Sequence, residues 1–368
     1  MDSITQAALG AAVGEAVLGR KLGNRALVWG AIFGTIPDLD VLASPLLDTA
    51  HRLEFHRGAS HSLLLMIFAS FFLAKPLGKL WSSEKVSPAR AGIFVFLAWS
   101  THVLIDCFTV YGTSVFWPFS ETRVAFNHVF IIDPLYTLPL VISLIWLAFY
   151  RTKKNQPKRT RMLLWGLGLS SGYVVFSIGM KFFISQAFDA DLAKQGITYT
   201  RRMEAPTPLN TLLWRSVVER ENELWVGYRS VFDRAALPVR WTIYPKQKNA
   251  IDRYRNEREI KTLLWFSGGW WIARPHAQGV WLADMRFGEN RTYDAKPGMV
   301  DSQIMFAWSF RPDGFKDRLA ATRPEIRDVK DSLRRIFFRI VGNDEQWEAT
   351  PRLAGVPGAL PEFLPVVE

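Results

Sequence analysis

Long apolar segments dominate the first half of the chain, and they most strongly limit what it can fold into. Four segments are long enough to cross the hydrocarbon core of a membrane as helices: residues 63–81, 91–111, 129–150 and 163–184. Two shorter apolar segments, residues 5–18 and 26–36, would rise only about 16 to 21 Å as helices, less than the roughly 30 Å core. We therefore expect four to six membrane helices, the short segments being short spans or a re-entrant pair.

The second half of the chain has a different pattern. Beyond about residue 188 charged residues recur every few positions, and the apolar runs shorten to strand length. Residues 212–218, 224–228, 270–272 and 280–282 have the composition of strands, with turn residues between them. The predicted domains are a transmembrane helical domain at residues 1–187 and a soluble β-rich domain at residues 188–368.

Lysine and arginine predict the orientation, because cytoplasmic loops carry an excess of both. The basic loops include a dense run at residues 151–161, whereas the loops on the opposite side have only three arginines. Residues 37–62, residues 112–128 and everything after residue 185 are therefore expected outside the cytoplasm. The predicted fold class is a multi-span α-helical membrane bundle followed by an α+β, β-rich extracytoplasmic domain, located in a bacterial inner membrane.

Charge and cysteine content narrow the possible partners. The net charge of +11 is explained by the membrane-flanking basic run, so membrane lipid and not nucleic acid is the expected partner. The single cysteine, Cys107, excludes an intrachain disulfide framework and a cysteine-based zinc cluster.

Histidine is concentrated in the apolar half, where ionisable groups are costly and usually functional. Five of the six histidines lie in the first 130 residues, close to paired aspartates. Imidazole nitrogen and carboxylate oxygen are the ligands of hydrolytic zinc and of manganese or iron centres. The predicted metal ligands are Asp38, Asp40, His56, His61, His102 and Asp106.

The most specific spacing is that of His102 and Asp106. They are four residues apart in a predicted helix, so both project from one face, as two ligands of one ion would. The alternative is a histidine that is hydrogen-bonded to an aspartate within a helical bundle. Asp106 lies near the outer end of its segment.

The other predicted ligands lie at the same membrane face. Asp38 and Asp40 follow the second short segment, and Ser60 is predicted to cap the next helix, which places His61 in its first turn. Alternatively, the aspartates belong to an ordinary turn, and His56 and His61 are interfacial residues that face lipid headgroups.

Three further residues are candidates for supporting roles. Arg57 is predicted to stabilise developing negative charge, or else to reach lipid phosphate, and His128 to protonate a leaving group. Glu15, in the first apolar segment, must be paired or hydrated. It is expected either to hydrogen-bond a metal-bound histidine or to pair with Arg20 or Arg25.

Taken together, these motifs resemble a known family, the bacterial inner-membrane metal-dependent hydrolases grouped as domain of unknown function 457. The resemblance covers roughly the first 185 residues. It rests on residues 1–6 (MDSITQ), 37–40 (PDLD), 56–61 (HRGASH), 102–106 (HVLID) and 108–113 (FTVYGT). It implies membrane localisation, a divalent metal and hydrolytic activity, and a distant similarity to zinc-dependent phospholipases C implies a phosphoester substrate.

One position departs from this family. Where much of the family has Thr-His in the opening motif, this chain has Gln6 after Thr5. An amide is a poor transition-metal ligand. We therefore predict that Gln6 orients a ligand carboxylate, such as that of Asp38 or Asp40, by a hydrogen bond.

The predicted function is a membrane-bound metal-dependent hydrolase that acts at the outer face of the inner membrane on an ester or phosphoester, including lipid-derived ones. Its predicted cofactor is a divalent metal ion, zinc first, with manganese or iron as alternatives. Bound metal would lower the pKa of water toward 7. The alternatives are a metal-ion-binding transporter and a structural membrane scaffold without catalysis.

Overall fold

The computed structural model describes residues 1–150, 155–234, 237–276, 279–289, 304–312, 317–322, 329–342 and 347. The first residues of the basic run, 151–154, therefore lie outside the described residues. The chain forms two compact units, which are described separately. The first unit comprises Met1–Ser44, Phe55–Ile178 and Pro208–Asn210, and the second comprises Pro45–Glu54, Gly179–Thr207 and Thr211–Glu368. The main division falls at residue 178, inside a continuous helix and before the predicted boundary at residue 187.

Apolar helices build the first unit. They are α1 (Ser3–Leu22), α2 (Asn24–Thr35), α4 (Leu63–Leu80), α5 (Pro88–Cys107), α6 (Pro134–Phe149) and α7 (Gln156–Lys194), with α3 (Thr49–Phe55) leading into this unit from the second. The segments long and apolar enough to cross a membrane are Asn24–Leu46, Leu63–Leu80, Pro88–Cys107 and Gln156–Lys194. The predicted bundle of several apolar helices is thus confirmed.

Two predicted segments have different lengths in the structure. The short segment at residues 26–36 continues through a 3₁₀ helix, Ile36–Leu46, and so becomes long enough to span. The segment predicted from residue 129 becomes helical only at Pro134, because the Asp133 side chain caps the helix by accepting from the Leu135 amide. The resulting 16 residues of α6 rise about 24 Å.

Helices α1 and α2 pack at backbone distance because glycines face each other. Gly10 and Gly14 of α1 lie against Gly30 and Gly34 of α2. A Cβ atom at Gly10 would lie 2.3 Å from the Gly30 carbonyl oxygen, and one at Gly14 would lie 2.1 Å from the Ala26 carbonyl oxygen. This is the small-residue spacing that brings membrane helices together. It fixes the start of the 3₁₀ helix that carries Asp38 and Asp40.

Glu15 is paired with Arg159 of α7, which was not among its predicted partners. Its carboxylate accepts two hydrogen bonds from Arg159 of α7, at 2.9 Å from Nε and 2.5 Å from Nη2. Arg159 also donates to the Asn24 side chain at 2.6 Å. Both charged side chains are buried. Glu15 therefore pairs with neither Arg20 nor Arg25 and contacts no predicted metal ligand among its described hydrogen bonds.

The second unit is built on two four-stranded antiparallel sheets, which confirms the predicted β-rich part. The first sheet has the order β1 (Arg201–Pro206), β2 (Leu213–Arg220), β3 (Glu223–Ser230) and β4 (Trp241–Pro245). The second has the order β5 (Trp271–His276), β6 (Gly279–Asp284), β7 (Ala307–Phe310) and β8 (Leu319–Thr322). The unit also contains α8 (Arg258–Phe266) and α9 (Val329–Ile340).

Two chain segments from outside the sheets belong to this unit. The end of α7 packs Phe188 and Leu192 against Trp214 and Trp241 of the first sheet. The segment Pro45–Glu54 is joined by polar contacts: Thr49 donates to Asp317 at 2.7 Å, and Thr262 donates to Glu54 at 2.5 Å. The segment Pro45–Glu54, which precedes α4 in the chain, is therefore part of the β-rich unit.

Candidate metal centre

Three short stretches of the first unit supply a cluster of four side chains. Asp38 lies at the start of the 3₁₀ helix Ile36–Leu46, and His61 is the last residue of a second 3₁₀ helix, Ala59–His61. His102 and Asp106 lie one turn apart on α5. One ligand atom from each of the four lies within 4.8 Å of the others. The structure thus brings together four of the six predicted ligands.

The distances within this cluster match those around a single ion. The two Nε2 atoms of His61 and His102 are 3.2 Å apart. Their separations from Asp38 Oδ1 and Asp106 Oδ2 run from 3.4 to 3.6 Å. A tetrahedral ion with bonds of about 2.0 to 2.1 Å separates its ligand atoms by about 3.3 to 3.4 Å. Each imidazole nitrogen is therefore at ligand spacing from the other three atoms.

Hydrogen bonds on the far side of each imidazole assign its tautomer. His102 Nδ1 lies 2.6 Å from the carbonyl oxygen of Gly34, which can only accept, so Nδ1 carries the proton. His61 Nδ1 lies 2.9 Å from Ser60 Oγ, whose own proton goes to Asp40 at 2.7 Å. The His61 proton is therefore also on Nδ1. A neutral ring with its proton on Nδ1 presents an unprotonated Nε2 to the cluster, as metal-binding histidines do.

The two carboxylates add two more acceptors. Asp38 Oδ1 and Asp106 Oδ2 are buried, and no described donor is aligned to hydrogen-bond either oxygen. Four possible ligand atoms thus converge, an arrangement that a cation at their centre would stabilise. Imidazole and carboxylate suit a divalent ion of the zinc, manganese or iron type. The donor set therefore fits the predicted cofactor class.

Exposure shows where the cluster meets its surroundings. The side chains of His61, His102 and Asp106 are fully buried, whereas the Asp38 side chain is 21% exposed. Water or a substrate can therefore approach from the Asp38 side.

Asp40 and His56 lie beside the cluster and not within it. Asp40 accepts from His56 Nδ1 at 2.8 Å, and its second oxygen accepts from the Arg57 amide and from Ser60. Both carboxylate oxygens are thus engaged with protein donors. Asp40 and His56 were predicted to be metal ligands. In the structure they instead form a hydrogen-bonded Asp–His pair, and the imidazole of that pair is partly exposed.

Arg57 is buried next to the cluster. Its Nε atom lies 3.1 Å from Asp106 Oδ2, and its guanidinium lies over the Tyr111 ring at 4.8 Å from the centroid. Its backbone has a φ of 60°, an uncommon conformation for a residue other than glycine. The Asp40 hydrogen bond to the Arg57 amide stabilises this conformation. Arg57 thus adds positive charge on the Asp106 side.

The remaining histidines contribute no ligand to the cluster. His128 packs on Phe108, with ring centroids 5.6 Å apart, and its amide donates to the Phe108 carbonyl. His51 is exposed and pairs with Asp48 at 2.7 Å. His276 is an exposed residue at the end of β5.

Gln6 hydrogen-bonds a ligand carboxylate, as predicted, but the carboxylate is that of Asp106. The Gln6 amide donates to Asp106 Oδ1 at 2.8 Å and to the His102 carbonyl at 3.4 Å. The Met1 amino group also donates to the same oxygen. Gln6 therefore orients Asp106, and the prediction that named Asp38 or Asp40 was wrong about the partner.

We expect Gln6→Ala to weaken metal binding about tenfold, because losing an outer-shell partner of a ligand typically costs 10–100-fold in affinity. Isothermal titration of the metal-stripped protein in detergent measures this change. The matched control is Gln247→Ala, at an exposed glutamine of the second unit. Unchanged affinity in Gln6→Ala would show that the hydrogen bond from Gln6 to Asp106 does not contribute to metal binding.

Comparison with known proteins agrees with the membrane part of this description. A sequence model of the YdjM inner membrane protein family matches residues 1–183. The inner membrane protein YbcI of Escherichia coli (strain K12) is 30% identical over 122 residues, which cover 33% of this chain and 69% of YbcI. The chain belongs to the YdjM family of inner membrane proteins. The family match includes every member of the candidate metal cluster.

A second relative is less similar and longer. The uncharacterized protein YfhP of Bacillus subtilis (strain 168) is 28% identical over 156 residues, or 40% of this chain. The chain spans about half the length of YfhP, since the match covers 47% of it. No solved structure matches the chain. The YdjM family and the candidate spans identify an inner membrane protein, and the β-rich unit lies almost entirely beyond the family match.

Proposed function

We propose that this protein is a metal-dependent hydrolase that cleaves an ester or phosphoester at the outer face of the inner membrane. The observation that carries the proposal is the convergence of four acceptor atoms, from Asp38, His61, His102 and Asp106, with both imidazole tautomers assigned for metal binding. A divalent ion held there acts as a Lewis acid that activates water and polarises an ester or phosphoester. The exposed edge at Asp38 is the side from which a substrate enters.

His56 is the residue that we propose to move a proton in this reaction. Its Nδ1 donates to Asp40, so Nε2 of the neutral ring is an acceptor. The partly exposed ring lies 6.3 Å from the His61 ring, between centroids. A carboxylate that orients an imidazole is a recurrent arrangement for general acid–base chemistry. We therefore assign the proton transfer to His56 and not to His128, which packs on Phe108.

Arg57 has a double role in this proposal. Its guanidinium lies 3.1 Å from the Asp106 carboxylate and orients it. The same charge favours a substrate whose reacting group becomes more negative in the transition state. Tyr111, which lies under Arg57, also contacts Arg123 at 4.8 Å from the ring centroid. The two arginines make an anionic substrate such as a phosphoester the favoured class.

The test is hydrolysis of ester and phosphodiester probes by purified protein supplied with zinc, manganese or iron. We expect His56→Ala to lower kcat by about 100-fold or more, the usual contribution of a general acid or base, with bound metal unchanged. The control is His51→Ala, whose exposed side chain pairs only with Asp48 among described carboxylates. Turnover that is equal in the two variants would remove His56 from the mechanism.

A structural metal in a membrane scaffold is the second candidate function. It is favoured by one observation, that four protein side chains offer ligand atoms within 4.8 Å of one another, and four protein ligands are typical of structural zinc. Loss of folding stability on metal removal, with no hydrolysis of any probe at any metal, would favour this alternative.

We further propose that the β-rich unit is extracytoplasmic. Segment Pro45–Glu54 belongs to that unit, so the loop before α4 and the β-rich unit share one side, and the basic loops favour the cytoplasm for the other. A reporter inserted after residue 85 should show cytoplasmic activity, and one after residue 196 should show periplasmic activity. The reverse pattern would place the metal site at the inner face.

A further inference from the structure

Helix α9 turns two of its arginines inward. Arg339 is buried and donates to both oxygens of Asp233, at 2.8 and 2.7 Å, and to the Tyr228 carbonyl at 3.0 Å. Arg335, also buried, pairs with Asp331 at 2.7 Å. Because Asp331 lies on α9 itself, the bonds of Arg339 to Asp233 and Tyr228 are the ones that orient this helix on the second unit. The opposite face of α9 therefore points away from the second unit.

That outward face is apolar. Val329, Leu333, Phe337 and Val341 are 57%, 38%, 59% and 54% exposed. They are four residues apart, and since each such step advances about 40° around a helix, they form one continuous outer stripe. Among the described residues none covers it. Such a row of large apolar side chains is costly to leave in water.

Basic residues border the outer stripe. Lys330 and Arg334 are exposed and follow Val329 and Leu333 directly in the sequence, which places them along one edge. The Arg334 guanidinium lies over the Phe338 ring, 5.2 Å from its centroid. Apolar residues with Lys and Arg at the border are the pattern of a helix that lies in the surface of an anionic bilayer.

We propose that the outer stripe of α9 is a membrane-surface anchor that inserts among the acyl chains of an anionic bilayer, with Lys330 and Arg334 on lipid phosphates. The observations favour lipid over a protein partner for two reasons. The edge charges match anionic headgroups. In addition, α7 is one continuous helix that links a candidate membrane span to the second unit. The second unit is therefore tethered to a bilayer, which raises the effective concentration of lipid for α9. This inference does not depend on the proposed hydrolase activity.

The experiment places a nitroxide spin label on the outer stripe of the full chain. Phe337→Cys and, as a matched control, Asp252→Cys are labelled in protein reconstituted into nanodiscs. The discs contain either phosphatidylglycerol with phosphatidylethanolamine or phosphatidylcholine alone. Asp252 is 63% exposed in the same unit. The parent chain is the labelling blank, because its one cysteine, Cys107, is buried.

We expect the ratio of oxygen to nickel-chelate accessibility to be several-fold higher at residue 337 than at residue 252 in anionic discs. Adding Lys330→Glu and Arg334→Glu should lower that ratio. A residue 337 label that is equally accessible to the nickel chelate in both kinds of disc, like the label at residue 252, overturns the proposal. A label shielded from both reagents also overturns it, because a second copy or another protein segment would then cover the stripe.

Discussion

Replacing His102 by alanine is expected to abolish stoichiometric metal binding. Its Nε2 atom lies within 3.6 Å of the ligand atoms of His61, Asp38 and Asp106, so the substitution removes one of four donors. Loss of an outer-shell partner already costs 10–100-fold, and loss of a ligand should lower affinity by more than about 100-fold. Metal content is measured by mass spectrometry on detergent-purified protein.

The same measurement on other variants shows whether the effect is specific. His61→Ala and Asp106→Ala should lose metal as His102→Ala does. His51→Ala and His276→Ala, which change exposed histidines outside the cluster, should retain it. Asp40→Ala should retain part of it, because Asp40 acts on His61 through Ser60. Equal metal content in all of these variants would disprove the ligand assignment.

The second large effect concerns the stability of the helical unit. Glu15→Leu leaves Arg159 buried without its carboxylate partner, and breaking one side of a buried ion pair costs about 3–5 kcal/mol. We expect the free energy of unfolding in detergent to fall by that amount. Replacing both partners, with Glu15→Leu and Arg159→Met, should recover most of the loss because no unpaired charge remains.

The exposed pair Arg255 and Asp252 provides the comparison for this effect. Both side chains are more than half exposed, so Asp252→Ala should change stability by less than about 1 kcal/mol. If Glu15→Leu is as stable as Asp252→Ala, the Glu15–Arg159 pair does not hold α1 and α7 together.

Local patterns in the sequence were enough to predict most of the fold. Apolar length predicted α4, α5 and α7 as candidate spans, but it overestimated α6 and missed Asn24–Leu46. Strand-like runs predicted β2, β3, β5 and β6. The start of α6 was missed because a cap at Asp133 ends an apolar segment that hydropathy alone treats as uniform. The α1–α2 contact was missed as well, although Gly10 and Gly14 carry the small-residue spacing that indicates close helix packing.

The candidate site was predictable where its residues share one helix. The pairing of His102 and Asp106 could be predicted from their spacing on α5. The different roles of Asp38 and Asp40 could not, because they depend on the direction in which a 3₁₀ helix points each side chain. Ser60 was predicted to cap α4, but Ser62 does so, and Ser60 instead joins Asp40 to His61. The pairing of Glu15 with Arg159 joins residues far apart in sequence, and no local pattern indicates it.

We propose that Asp38, His61, His102 and Asp106 together hold one divalent ion. X-ray absorption spectroscopy at the metal edge of the purified protein tests it most directly. We expect one ion per chain with two imidazole and two carboxylate ligands at about 2.0 to 2.2 Å, and loss of an imidazole contribution in His61→Ala. A sulfur ligand, a shell of water alone or a spectrum unchanged in His61→Ala would contradict it.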